Sequence, residues 1–282
     1  MLVVKKMRFF LHYYHPESVL FKTKFFSVYA YGLMISFGLI FGFLVVSYLM
    51  RKYRLKRDDF WSLFFYLIIF GLIGARLGYV FFYHWPYYSN HLEEIIKFWQ
   101  GGMAIHGTIF LCLLVLFFFS HFKKISFLLL ADIFAPALAL GQAIGRWGNY
   151  FNQEIYGKPT NFFLSIPIDY SHRLEGYEKF TYFHPVFFYS FLWLFLLFLI
   201  LFFWHKKRIK KGKINQGEIF LTYLILHSLG RFFIEFLRID PQPVYLSLRM
   251  GQWLSIVLLV LALFIYFFLK RKKRLLKKNL YN

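Results

Sequence analysis

The sequence predicts an all-α integral membrane protein with seven transmembrane helices. Of its 282 residues, 59% are hydrophobic and 24% are aromatic, and the mean hydropathy is +0.52. Charged residues make up only 17%, below the roughly 25% of an ordinary soluble domain. This composition excludes intrinsic disorder and argues against a water-soluble globule. The apolar residues are gathered in stretches that have the length of bilayer-spanning helices.

Seven apolar stretches are long enough to cross a bilayer, which takes about 20 residues in a helix. They cover residues 28–50, 60–83, 103–120, 127–145, 185–204, 218–236 and 251–269. The third of these stretches is short, and the sixth is interrupted by ionisable groups. We expect residues 1–282 to form a single polytopic membrane domain. The longest loop, 146–184, mixes Gly, Pro, Asn and Ser with both charges, and is expected to form a small extracytoplasmic cap.

The Lys and Arg residues of the loops predict the orientation. The alternate loops that include the C-terminal tail carry 20 of them, and the set that includes the N-terminus carries 12. Cytoplasmic loops are enriched in Lys and Arg, so we expect the N-terminus outside and the C-terminus in the cytoplasm. Residues 1–26 lack an uninterrupted apolar core and a small-residue cleavage site. We therefore expect them to stay on the mature protein as an interfacial segment.

Charge and cysteine content limit the partners. The chain has 34 Lys and Arg against 13 Asp and Glu, a formal net charge of +21, which in a soluble protein would suggest nucleic acid. Here the basic residues form short runs between apolar stretches, so we expect an anionic lipid surface and no nucleic acid. The single cysteine, Cys112, excludes an internal disulfide framework and a multi-cysteine metal site. It lies among Leu and Phe in mid-span, and we interpret it as a packing residue.

Ionisable residues within spans are costly, so each is a candidate functional residue. In the sixth span, His227, Arg231, Glu235 and Arg238 follow one another at spacings that predict a common helical face. Arg231 can pair with Glu235 at i,i+4, and Arg238 lies within reach three residues later. Two guanidinium groups, which do not deprotonate, outnumber the carboxylate. The stretch is either a buried ion-pair network that joins helices or an anion site suited to phosphate.

The end of the fourth span is rich in glycine and polar residues. Gly141 and Gly145 form a small-residue face along which another helix can approach. Arg146 and Asn149 are three residues apart and can face the same way. Glycine also lets the backbone approach a ligand or bend sharply. The stretch is therefore either a ligand site or a polar helix end that continues into the loop.

Three other spans each carry one candidate side chain. Arg76 in the second span either joins a site or extends its charge to the interface. His106, beside glycines at the start of the third, is either structural or takes up a proton near neutral pH. Tyr31, at the start of the first, is by itself typical of the tyrosine belt at a membrane interface.

The predicted topology brings five of these residues to one level of the membrane. Each lies at the outer end of a different span, and the orientation itself is predicted from the loop charges alone. A cationic cavity with a neutral histidine suits a phospholipid headgroup. Arginine clusters bind phosphate bidentately and stabilise charge that builds on a leaving phosphate. The five residues are Tyr31, Arg76, His106, Arg146 and Arg238.

The fourth span and the loop after it read Gly145-Arg146-Trp-Gly148-Asn149-Tyr-Phe-Asn152-Gln-Glu154-Ile-Tyr-Gly157. This stretch resembles the long and specific signature of bacterial prolipoprotein diacylglyceryl transferases. Supporting matches run along most of the chain. They are Tyr31–Met34, Gly74–Tyr79, Gly101–Gly107, Asp132–Pro136, His184-Pro185, Arg231–Arg238 and Met250–Ser255.

The resemblance implies a seven-span enzyme of the bacterial cytoplasmic membrane. Such enzymes move the diacylglyceryl group of phosphatidylglycerol onto the lipobox cysteine of a preprolipoprotein signal peptide, the first step of lipoprotein maturation. The products are a thioether-linked prolipoprotein and glycerol 1-phosphate. The family needs no metal or organic cofactor.

The resemblance also implies roles for the candidate residues. Arg146 and Arg231 would be the principal contacts of the lipid phosphate, and His106 as general base toward the thiol is one interpretation. The candidate catalytic residues are thus His106, Arg146 and Arg231. The candidate substrate-binding residues are Arg146, Asn149, Glu154, Tyr31, Arg76, Glu235 and Arg238.

The chain departs from the family pattern at two places. The family usually continues His-Pro with Ser-Gln-Leu-Tyr-Glu, whereas His184-Pro185 is followed here by Val186-Phe-Phe-Tyr189-Ser190. Only the tyrosine is kept, so the other polar side chains of that pattern are missing. Four residues before the sixth-span arginine, the family often has Tyr, and this chain has His227. A phenol and an imidazole differ in reach and in proton affinity.

Two other functions are compatible with parts of this pattern. A lipid transporter or flippase could use the same anion site, but the sequence offers no pair of broken helices in two matching halves. A non-catalytic membrane scaffold descended from the enzyme would account for the side chains missing after Pro185.

Overall fold

The computed structural model describes residues 10–24, 27–212 and 215–279. Within these ranges, seven helices are long and apolar enough to cross a membrane, and one further helix, α3, is a single turn. The helices are α1 Ala30–Lys52, α2 Arg57–Tyr83, α3 Trp85–Tyr88, α4 Ile105–Lys123, α5 Phe127–Phe151, α6 Val186–Lys211, α7 Glu218–Ile234 and α8 Met250–Asn279.

Each predicted span overlaps one of the seven long helices, which confirms the predicted fold class. Two helix ends differ from the prediction. Helix α5 continues to Phe151, so Arg146 and Asn149 lie within it. Helix α7 stops at Ile234, and a 3-10 turn, Glu235–Leu237, follows. The backbone at Arg238 is already extended (φ −75°, ψ 146°), so the α-helix expected there has ended, although Arg238 still reaches Glu235 at 3.3 Å as the spacing predicts.

Three short antiparallel hairpins, which the sequence analysis did not predict, occur within the described residues. They pair β1 Val19–Lys22 with β2 Ser27–Tyr29, β3 Ile166–Pro167 with β4 Tyr182–Phe183, and β5 Val244–Tyr245 with β6 Leu248–Arg249. The predicted interfacial segment 1–26 is described only in part, since residues 1–9 and 25–26 lie outside the described ranges.

The internal contacts of the chain divide it into two units, residues 1–45 with 134–282 and residues 46–133. In the first unit, helices α5, α6 and α7 share a core in which small side chains of α5 face larger ones of α6 and α7. Small residues let transmembrane helices approach closely, because dispersion contacts must replace the hydrophobic effect in lipid. The core residues are Ala135, Ala139, Leu197, Leu201, Ile219 and Tyr223.

The loop between α5 and α6 has a core of its own, into which the N-terminal segment packs. Leu11 is buried there together with Ile166, Ile168 and Phe183. His12 stacks on Tyr182 with ring centroids 4.1 Å apart. This packing agrees with a small cap. The boundary 146–184 and the side of the membrane on which the cap lies stay predictions, as does the single domain over 1–282.

Asp169 ties the N-terminal segment to the end of α5. Its carboxylate lies 2.7 Å from His15 Nδ1 and accepts a hydrogen bond of 2.5 Å from Gln153 Nε2. The hydrogen bond from Gln153 and the contact with His15 hold the pKa of Asp169 below its usual value. The segment is thus held by side-chain contacts as well as by the hairpin.

The second unit is built on close packing of α2 against α4. Gly74 and Gly78 of α2 face Gly107 of α4, and a Cβ atom at Gly78 would lie 2.9 Å from the Gly107 Cα atom. A Cβ atom at Gly107 would collide with the Gly74 carbonyl oxygen. The two backbones therefore meet directly, as expected for a small-residue motif.

We predict that Gly107→Ala destabilises the protein by about 1–3 kcal/mol, because the added methyl group forces the two backbones apart. The measurement is thermal unfolding in detergent. Gly32→Ala is the control, since a Cβ atom at Gly32 meets no atom within 4 Å. Equal unfolding temperatures of the two variants would contradict close packing at Gly107.

Candidate anion site

A pocket with about 370 Å³ of empty space opens between α5, α6 and α7 of the first unit. One part of its lining is apolar and consists of Val186, Trp193, Leu194 and Ile234. The other part is polar and consists of Arg146, Ser190, His227, Arg231, Glu235 and Arg238. The pocket thus combines a cationic side with a hydrocarbon side.

Glu235 is the acidic residue of the pocket, and its side chain is fully buried. One carboxylate oxygen, Oε2, lies 3.3 Å from Arg231 Nε and 3.3 Å from Arg238 Nη1. The other, Oε1, accepts a hydrogen bond of 3.0 Å from Arg249 Nε. A buried carboxylate stays ionised only when such partners compensate for the lost water. Glu235 therefore joins three guanidinium groups.

A second carboxylate, Asp240, completes this network. It accepts two hydrogen bonds from Arg238, of 2.7 Å and 2.8 Å, in a bidentate arrangement. Burial alone would raise the pKa of Asp240, but Arg238 and the nearby Arg249 lower it below its ordinary value. Asp240 thus remains an anion that holds Arg238 in place.

Arg146 has no hydrogen-bond or ion-pair partner among the described residues, although its side chain is half-buried and lines the pocket. Its guanidinium group is repelled by the positive charges of Arg231 and Arg238. Arg231 also lines the pocket, and its ion pair with Glu235 joins Nε to Oε2 at 3.3 Å. Within the same ranges, its terminal nitrogens donate no hydrogen bond to the protein. Around the pocket, four guanidinium groups face the two carboxylates of Glu235 and Asp240. This surplus of positive charge suits an anion with several oxygen atoms.

The glycine-rich stretch at the end of α5, which carries Arg146, makes several further side-chain contacts. Asn149 is buried, and its Nδ2 donates a hydrogen bond of 2.7 Å to Glu154 Oε1. The Tyr31 ring lies against Gly148, where a Cβ atom would come within 2.6 Å of it. Tyr31, Asn149 and Glu154 therefore lie together at the end of α5 that carries Arg146, although they are not among the residues that line the pocket.

The end of this stretch is joined to the segment that follows α7. Gly157 forms a β-bridge with Arg238. Beside it, Lys158 N–H donates a hydrogen bond of 2.9 Å to the Leu237 carbonyl oxygen. Backbone pairing of this kind fixes the distance between the Asn149–Glu154 side of the site and the Glu235 network.

Comparison with known proteins identifies the family. The family model described as prolipoprotein diacylglyceryl transferase matches residues 18–268. The chain belongs to the prolipoprotein diacylglyceryl transferase family. With seven membrane-crossing helices, it is a multi-pass protein of the bacterial inner membrane.

Relatives named phosphatidylglycerol--prolipoprotein diacylglyceryl transferase match over most of the chain. The protein of Acaryochloris marina is 41% identical over 230 residues, which cover 80% of this chain and 81% of the relative. That of Bacillus velezensis is 40% identical over 248 residues, with 87% and 89% covered. That of Synechocystis sp. is 38% identical over 257 residues, with 90% and 89% covered.

The two departures from the pattern of this transferase family lie at the pocket. His227 lines it, and neither ring nitrogen has a hydrogen-bond partner in the described part of the chain. The retained Tyr189 forms a hydrogen bond of 3.1 Å with His184 Nδ1. Val186 and Ser190 line the pocket without a carboxylate or amide. The charged side of the site therefore comes from α5 and from the end of α7.

Arg76 and His106 belong to the second unit. Arg76 is buried, and its charged group is directed to the loop before α4, outside the apolar helices. Its guanidinium group donates hydrogen bonds of 2.7–3.2 Å to the carbonyl oxygens of Glu94, Ile95, Gly101 and Gly102. It organises this loop, and its contact with a substrate stays a prediction. His106 is exposed, with Nδ1 3.1 Å from the Tyr83 hydroxyl.

Sequence reasoning missed Arg249 and Asp240. Both lie outside the spans, where charged residues are common and do not by themselves indicate a functional site. A signal was available for Asp240, because an acidic residue two positions after Arg238 can pair with it locally. None was available for Arg249, which reaches Glu235 only through the fold of the β5–β6 hairpin.

We predict that Glu235→Ala lowers the unfolding temperature far more than Arg146→Ala. Removal of the buried carboxylate leaves three guanidinium groups without their shared partner, which lowers the free energy of unfolding by on the order of 3–5 kcal/mol. Removal of Arg146 leaves no charged partner behind and is expected to lower the free energy of unfolding by at most about 1 kcal/mol. Both are measured by thermal unfolding in the same detergent. A larger loss for Arg146→Ala would contradict the assignment of Arg146 as the unpaired arginine.

Proposed function

We propose that this chain transfers the diacylglyceryl group of phosphatidylglycerol to the lipobox cysteine thiol of a prolipoprotein, and that Arg146 and Arg231 hold the lipid phosphate. The observation that carries the proposal is an unpaired Arg146 in one pocket with Arg231, whose terminal nitrogens donate no hydrogen bond to the described residues. The names of the relatives supply the two substrates, phosphatidylglycerol and a prolipoprotein.

The phosphate matches the charge and the donors of the pocket. A phosphodiester carries one negative charge and two free oxygen atoms, and guanidinium groups bind such oxygens in pairs. Arg146 and the terminal nitrogens of Arg231 supply the donors. Val186, Trp193 and Leu194 supply an apolar wall for the glyceryl and acyl portion. The lipid would then lie with its phosphate on the cationic side and its hydrocarbon on α6.

The reaction is a displacement at the glyceryl carbon that bears the phosphate. The cysteine sulfur forms a bond to this carbon, and the carbon–oxygen bond to phosphate breaks. Glycerol 1-phosphate leaves with the electron pair of that bond. The thiol proton goes to a general base, and the family resemblance makes His106 the candidate; its ring nitrogen Nε2 has no partner in the described ranges. A free thiol is only a few per cent ionised at pH 7, so removal of this proton raises the fraction of thiolate, which is the nucleophile.

The arginines contribute most where charge develops. As the carbon–oxygen bond breaks, negative charge grows on the phosphate, and fixed donors stabilise it more than they stabilise the bound lipid. Loss of one such donor typically costs about 10²–10³ in rate. Glu235 holds Arg231 in a fixed orientation, so that less reorganisation is needed during the reaction. We propose that Asn149, Glu154 and Tyr31, which contact one another or the same end of α5, keep the segment that carries Arg146 in place.

We predict that Arg146→Ala and His106→Ala each reduce transfer by at least about 100-fold, because one removes a phosphate contact and the other the proton acceptor. The assay follows label from the acyl chains of phosphatidylglycerol to a peptide with a lipobox cysteine. Controls are Arg173→Ala, in the loop between α5 and α6, and His121→Ala, at the opposite end of α4 from His106. Near-normal transfer by both site variants would overturn the proposal.

The proposed orientation puts the N-terminus and the loop between α5 and α6 outside the cytoplasm. We predict that Lys179→Cys reacts with a membrane-impermeant maleimide on intact cells, whereas Lys207→Cys reacts only after lysis. Both side chains are exposed. The variants are made with Cys112→Ser, which removes the single native thiol. The reverse labelling pattern would contradict the orientation and leave the reaction untouched.

A further inference from the structure

Arg249 is tied to the pocket although it does not line it. It ends β6, one residue before α8 begins, and 18% of its side chain is exposed. Each of its three guanidinium nitrogens has a partner: Nε meets Glu235 Oε1, Nη1 donates to the Arg238 carbonyl oxygen at 2.9 Å, and Nη2 donates to the Asp240 carbonyl oxygen at 2.6 Å. Nη2 also lies 3.3 Å from Asp240 Oδ1, so every nitrogen of the group is already engaged with the protein.

The backbone at Arg249 is fixed as well. Its N–H donates a hydrogen bond of 3.0 Å to the side-chain oxygen of Gln252, a buried residue in the first turn of α8. The guanidinium group therefore approaches Glu235 from an anchored position. Its contact of 3.0 Å is the shortest of the three that Glu235 makes with guanidinium groups.

The two oxygens of Glu235 are thus divided between different arginines. Arg249 occupies Oε1, and Arg231 and Arg238 share Oε2 at the longer distance of 3.3 Å. The exposed fraction of the side chain is 31% for Arg231 and 7% for Arg238. Arg231 is therefore the member of the network whose guanidinium group can still reach the pocket.

We propose that Arg249 is a positioning residue: by occupying Oε1 of Glu235, it keeps the terminal nitrogens of Arg231 available to the lipid phosphate. The proposal rests on the proposed function. A carboxylate with three cations attracts each of them less than it would attract two, because every guanidinium group repels the others. Without Arg249, Glu235 draws Arg231 away from the pocket, and the positive charge around the phosphate falls by one.

The displacement of Arg231 and the loss of one positive charge both weaken lipid binding. The unpaired Arg146 is not affected by either change. We therefore expect Arg249→Gln to raise the KM for phosphatidylglycerol roughly tenfold and to lower kcat as well, because Arg231 also stabilises the charge that develops on the phosphate. Arg249→Lys keeps the charge near Glu235 but loses the fork of donors, and is expected to raise the KM by about threefold. The matched control is Arg173→Gln, which removes an arginine that also donates to two carbonyl oxygens but has no contact with the pocket.

The experiment measures transfer by full-length protein in mixed micelles, with the surface fraction of phosphatidylglycerol varied and the lipobox peptide saturating. Unfolding temperatures are recorded for every variant. An Arg249→Gln KM that rises no more than that of Arg173→Gln would overturn the proposal. If Arg249→Gln does not fold, a KM of Arg249→Lys equal to that of the unchanged protein would overturn it.

A cycle with Glu235→Gln separates positioning from simple support of the hairpin. If Arg249 acts through the carboxylate, adding Arg249→Gln to Glu235→Gln changes the KM less than twofold, because the carboxylate charge is already gone. A tenfold rise in that background would show that Arg249 acts through its carbonyl contacts instead. Absence of transfer by the unchanged protein would count against the proposed function. Normal transfer with no KM change in Arg249→Gln would count against the positioning role alone.

Discussion

The buried carboxylate of Glu235 determines how the arginines of the pocket are arranged. In surroundings of low polarity, a carboxylate needs cationic partners, and Glu235 has three of them. Arg238 is held further by Asp240, and Arg249 by two carbonyl oxygens, so every nitrogen of both groups has a partner. Arg231 has its ion pair with Glu235, and its terminal nitrogens donate no hydrogen bond to the described residues. The same network that stabilises the helix ends therefore leaves one arginine partly available for an anion.

Arg146 differs from these residues because α5 brings it to the pocket without an acidic partner in the described ranges. A half-buried guanidinium group without an acidic partner gains an ionic contact when an anion binds. The backbone bridge between Gly157 and Arg238 joins the α5 side to the Glu235 side. We infer that the structural ion pairs and the proposed ligand site belong to one arrangement.

Much of this arrangement could be predicted from the sequence, for physical reasons. Seven apolar stretches of bilayer length have few other solutions, and the i,i+4 spacing of Arg231 and Glu235 implies their pairing. Arg249 could not be found in this way. It depends on the β5–β6 hairpin, whose turn residues Leu246 and Ser247 adopt positive φ without the glycine or asparagine that usually marks such turns. The partners of Arg76 could not be predicted either, because they are backbone carbonyl oxygens, which leave no trace in the sequence.

The central claim is that guanidinium groups from α5 and α7 hold one lipid phosphate. The most direct measurement is a cryo-electron microscopy structure of the protein in nanodiscs that contain phosphatidylglycerol. The account predicts a phosphate with oxygen atoms about 2.7–2.9 Å from nitrogens of both Arg146 and Arg231. Well-defined lipid density whose phosphate contacts neither arginine, while the pocket holds only hydrocarbon, would contradict it.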